Sequence, residues 1–140
     1  MSEINSQLAL APVHAPTAPE GQSLEEKRAA VLALDLDGAV VVATIREHLR
    51  RRSGKPWSLS GGRGTAYGWI RIHAPPARRV APFDYMAEED RAELGRLLGL
   101  TGPVHQQGES IPTGNDYRRV YLARAMFGED LGFTASPYWD

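Results

Sequence analysis

The stretch Lys55 to Pro75, K-P-W-S-L-S-G-G-R-G-T-A-Y-G-W-I-R-I-H-A-P, constrains the fold more than any other part of the chain. Lys55 to Ser60 alternates in character, Gly61, Gly62, Arg63 and Gly64 make a glycine-rich connection, and Thr65 to Ala74 alternates again. Glycine reaches positive φ without a Cβ clash, so the pattern predicts a β-hairpin with a flexible tip. Successive side chains on a strand point to opposite faces. Ile70 and Ile72 therefore share one face with Ala66, Gly68 and Ala74, while Tyr67, Trp69, Arg71 and His73 share the other. The first is a core face. The second is aromatic and basic: it either meets a partner or lies under a helix, with Tyr67 and Trp69 in the core. Two strands alone are marginal in water. The hairpin needs a third strand, expected between Val104 and Ile111, or helices against its apolar face.

Helical patterns flank it. Ser23 opens the capping box S-L-E-E, which predicts a helix from Leu24 to about Leu34. Asp35-Leu36-Asp37-Gly38 is a break, and Ala39 to Arg52 is the main helix, with Val41, Val42, Ile45 and Leu49 as its buried stripe. Gly54 suits the position after its end, and Pro56 lies just beyond. Ala77 to Tyr85 reads as a loop, Ala87 to Leu98 as a short helix with an acidic first turn, and Asp116 to about Phe127 as a last helix capped by Asn115 or Thr113. The order α, α, β, β, α, α gives an α+β fold: a small antiparallel sheet built on a β-hairpin and packed by about four helices. Residues 1–22, rich in Ala and Pro, read as a disordered tail, 23–127 as a single domain, and 128–140 as a C-terminal tail whose aromatics either staple onto the domain or stay free.

Several classes are excluded or disfavoured. The 140 residues contain no cysteine, so there is no disulfide framework, thiolate metal site or cysteine nucleophile. His14, His48, His73 and His105 lack metal-ligand spacing, and no cofactor is expected. No run is long and apolar enough to cross a membrane, and the N-terminus lacks the pattern of a signal peptide, so a cytoplasmic protein is expected. The net charge of −1 hides an asymmetry. Nine basic residues and one acid lie between Arg46 and Arg79, a local charge of +8; the remaining seven basic and sixteen acidic residues carry −9. Such segregation speaks of fields and partners rather than fold. It also permits a plainer reading, in which acidic helices pack beside the basic hairpin.

Val31 to Val40, V-L-A-L-D-L-D-G-A-V, resembles the first motif of the haloacid dehalogenase-like phosphatases. The resemblance implies Asp35 as nucleophile and Asp37 as acid/base. It departs from the family at Ala39, where threonine is usual, and the only lysines, Lys27 and Lys55, do not suit the family's later lysine. Too little βα alternation follows for a doubly wound sheet. The alternative is two Asp residues breaking and recapping a helix. Gly61-Gly62-Arg63-Gly64 lacks the Gly-Lys-Ser/Thr ending of a phosphate loop and precedes a strand, not a helix.

The aromatic, basic face is the stronger candidate, because rings stack on bases while interleaved cations follow phosphates. Arg50, Arg51, Arg52, Arg63, Arg78 and Arg79 are expected to meet phosphates, Tyr67 and Trp69 to stack, and Lys55, Arg71 and His73 to share the surface. The expected function is that of a small nonenzymatic binding module engaging nucleic acid. The alternative is a protein-binding inhibitor of a host protein machine that meets an acidic surface or mimics DNA with its acidic remainder. Pieces such as S-G-K-P-W-S-L, G-R-G-T-A-Y-G-W-I-R-I and S-I-P-T-G-N-D-Y-R-R-V-Y-L-A-R-A resemble small uncharacterised proteins of bacterial phages and mobile elements. That resemblance implies a setting and no catalytic residue.

Overall fold

A computed structural model describes residues 22–61 and 69–136. The alternating stretch forms the expected antiparallel pair, shorter than its pattern: β1 (Ser58–Ser60) faces β2 (Ile70–His73), with Ser58 opposite His73, Leu59 opposite Ile72 and Ser60 opposite Arg71. Pro56 has no amide hydrogen to donate, and pairing starts only after it. Gly61 leaves β1 at φ +105°, where an added Cβ would run into the Trp69 carbonyl, so only glycine fits there. Arg63 and Tyr67, both expected on the interface, lie outside the described residues.

The expected third strand is β5 (Glu109–Ile111). It pairs antiparallel with β2, placing Ile70 opposite Ile111, Arg71 opposite Ser110 and Ile72 opposite Glu109. The order β1-β2-β5 puts the aromatic and basic strand in the centre. Leu59, Ile70, Ile72 and Ile111 turn to one face and are buried. They join Val41, Ile45 and Leu49 from α2 (Gly38–Ser53) and Val120, Leu122 and Ala125 from α4 (Asn115–Phe127) in one core. The α2 trio has i, i+4, i+8 spacing; Val42, one position off that stripe, is only half-buried against it. Each fully buried aliphatic side chain contributes roughly 1.5–3 kcal/mol. Trp57 is also buried, with its Nε1 donating to Ser53 Oγ at 2.8 Å.

The other elements follow local signals. α1 (Leu24–Leu32) starts in a reciprocal capping box: Ser23 N donates to Glu26 Oε1 at 2.7 Å, and Glu26 N donates to Ser23 Oγ at 3.0 Å. α3 (Glu88–Leu97) carries Glu88, Glu89 and Asp90 in its first turn, where the helix dipole favours them. The N-cap of α4 is Gly114, between the two residues expected to cap it. The stretch read as a loop contains a turn of 3-10 helix (Pro76–Arg78) and a small ribbon, β3 (Arg79–Val80) against β4 (Tyr85–Met86). Residues 128–136 lie along α1: Leu131 is buried, its carbonyl accepts from Arg28 Nη1 at 2.6 Å, and the Arg28 guanidinium sits 4.4 Å from the Phe133 ring centre.

Candidate nucleic-acid interface

Pairing across the sheet puts Ser58, Ser60, Arg71, His73 and Ser110 on the face opposite the core. Trp69, the residue just before β2, continues the alternation in the sequence and is 51% exposed. Arg71 is exposed, and among the described residues no carboxylate pairs with it. Its cross-strand neighbours, Ser60 and Ser110, are small and leave the guanidinium accessible. The aromatic face is therefore open at Trp69 and Arg71 rather than roofed by a helix. It closes toward His73, which is half-buried. Burial, and then the nearby Arg79 charge, push the His73 pKa down. Burial thus favours the neutral form of this imidazole.

The β3–β4 ribbon follows β2 in the chain as a separate two-stranded sheet. Arg79 and Met86 share one side of the ribbon, and Met86 is buried. Val80 and Tyr85 share the other; Val80 is exposed and Tyr85 half-buried. Phe83, in the turn, is 67% exposed, with its ring centre 5.4 Å from that of Tyr85. Reading Ala77 to Tyr85 as a loop missed this part. The signal available was a lone Phe between Pro82 and Asp84, too small a pattern to place on a face.

The structure divides the basic residues expected to meet phosphates into outward and inward sets. Arg50 and Arg51 stand on the exposed side of α2, bonded to Glu47 at 3.3 and 2.8 Å. Those two arginines hold the Glu47 carboxyl below its ordinary range. Arg46, on the same helix, donates from Nη2 to the Leu59 carbonyl of β1 at 3.2 Å. Arg79 is half-buried and donates from Nε to Ala74 O at 3.0 Å.

Three residues expected on the interface are engaged by the fold instead: Arg52 and Lys55 turn inward, and Arg78, though exposed, is ion-paired with α3. Arg52 Nη1 donates to Leu97 O and Ala125 O at 2.7 Å and to Arg124 O at 3.3 Å, the last turns of α3 and α4; burial lowers its pKa. Lys55 Nζ bonds Asp90 Oδ1 at 2.9 Å and Glu93 Oε1. Burial lowers the Lys55 pKa, but the bonds to Glu93 and Asp90 outweigh it and raise it overall. Arg78 bonds Asp90 through Nε at 2.9 Å and Glu89 through Nη2 at 3.0 Å. For Arg52 and Lys55 the physical reason is desolvation, and for Arg78 it is the nearness of the first-turn acids of α3. Acids of α3 and helix-terminal carbonyls lie within reach, and a desolvated cation is stable only beside them.

Asp35 and Asp37 stand at the junction of α1 and α2, not at a strand end. Asp35 Oδ1 accepts from Asp37 N, and Asp37 Oδ1 accepts from Ala39 N, each at 2.9 Å. Asp37 is the N-cap of α2. Among the described residues, no group of three or more His, Cys, Asp or Glu side chains is placed to hold a metal ion. No described helix is long and apolar enough to cross a membrane. Comparison with family models, with curated proteins and with solved structures finds no match to this chain.

Proposed function

We propose that the protein is a nonenzymatic module that binds nucleic acid across the open face of its sheet, with Trp69 against a base and Arg71 against a phosphate. The observation that carries this reading is an exposed indole just before the central strand and, two residues on, an exposed guanidinium that no carboxylate among the described residues pairs. A ring held this way stacks on any base, and a cation without a carboxylate partner is available to a phosphate. Arg50 and Arg51 supply a second, weaker field from α2, shared with Glu47. Arg52, Lys55 and Arg78 have structural roles and are not part of the interface.

Titration with oligonucleotides at two salt concentrations tests the reading. The wild type should bind more weakly as salt rises. Arg71→Ala should weaken binding to all sequences alike and flatten the log–log salt slope by about 0.7–0.9, the contribution of one phosphate. Trp69→Ala should cost about 1–3 kcal/mol with little change in slope, because stacking releases no counterions. A wild type that binds no nucleic acid at low salt overturns the proposal and favours a protein partner for the same face.

A further inference from the structure

We propose that a cavity between α1, α4 and the 132–134 segment binds a small organic anion, a carboxylate or phosphate on a short apolar body, through Arg28 and Arg119. The cavity measures about 260 Å³. That is the volume of roughly nine water molecules, which suits a ligand smaller than a typical drug. None of its lining residues belongs to the sheet, so the site is independent of the nucleic-acid reading. Arg28 and Leu32 line it from α1 at i, i+4, and Asp116 and Arg119 from α4 at i, i+3, so each helix presents a single face. Gly132 and Phe133 line it from the segment that follows α4.

The two guanidiniums are held differently. Arg28 is fixed by its Nη1 bond to Leu131 O and by the Phe133 ring. A guanidinium carries five N–H donors, so others remain for a ligand. Gly132 leaves room for this arrangement, since an added Cβ would come within 3.1 Å of Arg28 Nη1. Arg119 is half-buried, and no described residue bonds or pairs with it. A cation drawn partly out of water without an acceptor from the fold is costly until an anion meets it. Asp116 is the one acid among the lining residues; its Oδ2 accepts from Ser136 N at 3.1 Å, and the two guanidiniums outnumber it. Of the acids following α4, Glu129 is bonded to Lys27 and Asp130 to Gly132 N, and neither lines the cavity. Leu32, exposed, and Phe133, half-buried, offer apolar surface to the body of the ligand.

The test titrates the full chain with phenyl phosphate, with benzoate and, as a neutral control, with benzamide, and follows amide chemical shifts. At least one of the two anions should bind at millimolar concentration or below and shift the amides of Arg119 and Gly132; the tighter of the two identifies the anionic group. Benzamide should bind at least about tenfold more weakly. Arg119→Gln should weaken anion binding roughly ten- to hundredfold, the loss of one charge-assisted bond, and Arg119→Lys, which keeps the charge, should lose less. Because Arg119 makes no bond to the fold, both variants should keep the wild-type Tm. Arg71→Ala should leave anion binding unchanged, and Arg119→Gln should leave oligonucleotide affinity unchanged. A wild type that binds neither anion, equal binding of benzamide, unchanged affinity in Arg119→Gln, or loss of binding in Arg71→Ala overturns the site. Failure to bind oligonucleotides overturns only the nucleic-acid reading.

Discussion

Asp90 is the one charged residue among the described positions that is completely buried. It is tolerated because Lys55 and Arg78 both donate to it, at 2.9 Å. Burial alone would raise its pKa; the bonds from Arg78 and Lys55 outweigh that and hold it below the ordinary carboxylate range. The sign of the pH effect follows. A carboxylate with a depressed folded pKa contributes stability that is present above its unfolded value of about 3.9 and is lost as pH falls through the folded value. Asp90→Asn should destabilise the protein by on the order of 2–3 kcal/mol at neutral pH. Lys55 and Arg78 remain partly in water, which discounts the cost expected for a fully buried pair. Urea midpoints measured from pH 7 to pH 2 should fall less steeply in Asp90→Asn than in the wild type. Equal slopes would mean that Asp90 is not charged in the native state. The plainer reading of the charge asymmetry, acidic helices beside the basic hairpin, anticipated this kind of contact but not its partners, because Lys55 and Asp90 are 35 positions apart and only the fold brings them together.

At the scale of elements, the sequence was most informative where a period is long enough to read. The i, i+4, i+8 stripe of α2, the capping box of α1 and the alternation of Ile70 and Ile72 each appear in the structure. The marginal stability of two strands called for either a third strand or helices against the apolar face, and the structure has both, β5 beside β2 and α2 and α4 in the core. The ribbon β3–β4 was not legible, because a strand of two residues has no alternation to display. Openness of the face at Trp69 was undecidable as well, since exposure depends on where helices pack and not on the strand's own pattern. Close packing of α3 provides an element-scale test. An added Cβ on Gly95 would run into the Gly102 carbonyl, whereas one on Gly102 meets nothing within 4 Å. Gly95→Ala should therefore cost about 1–3 kcal/mol by overpacking, and Gly102→Ala should change little. Denaturant midpoints of the two variants check this, and similar values would show that the segment around Gly102 yields easily.

Across the whole molecule, the +8 of Arg46–Arg79 and the −9 of the remainder partly cancel inside the fold, as the ion pairs of Lys55 and Arg78 with α3 demonstrate. Stability should be graded in the same way as burial. The amides of Ile72 in the central strand and Leu122 in α4 should exchange hydrogen only through global unfolding, and that of Val80 through local opening of the ribbon. Native-state hydrogen exchange over a range of denaturant checks the order, and slow exchange at Val80 would contradict it. The position of Arg52 has a further consequence. The C-terminal ends of α3 and α4 meet at the end of α2, so the partial negative charges of three helix termini gather in one place. Such a convergence ordinarily calls for a cation drawn from solution. Here the chain carries its own counter-ion, tethered by a peptide backbone, which neither dilution nor a change of salt can remove.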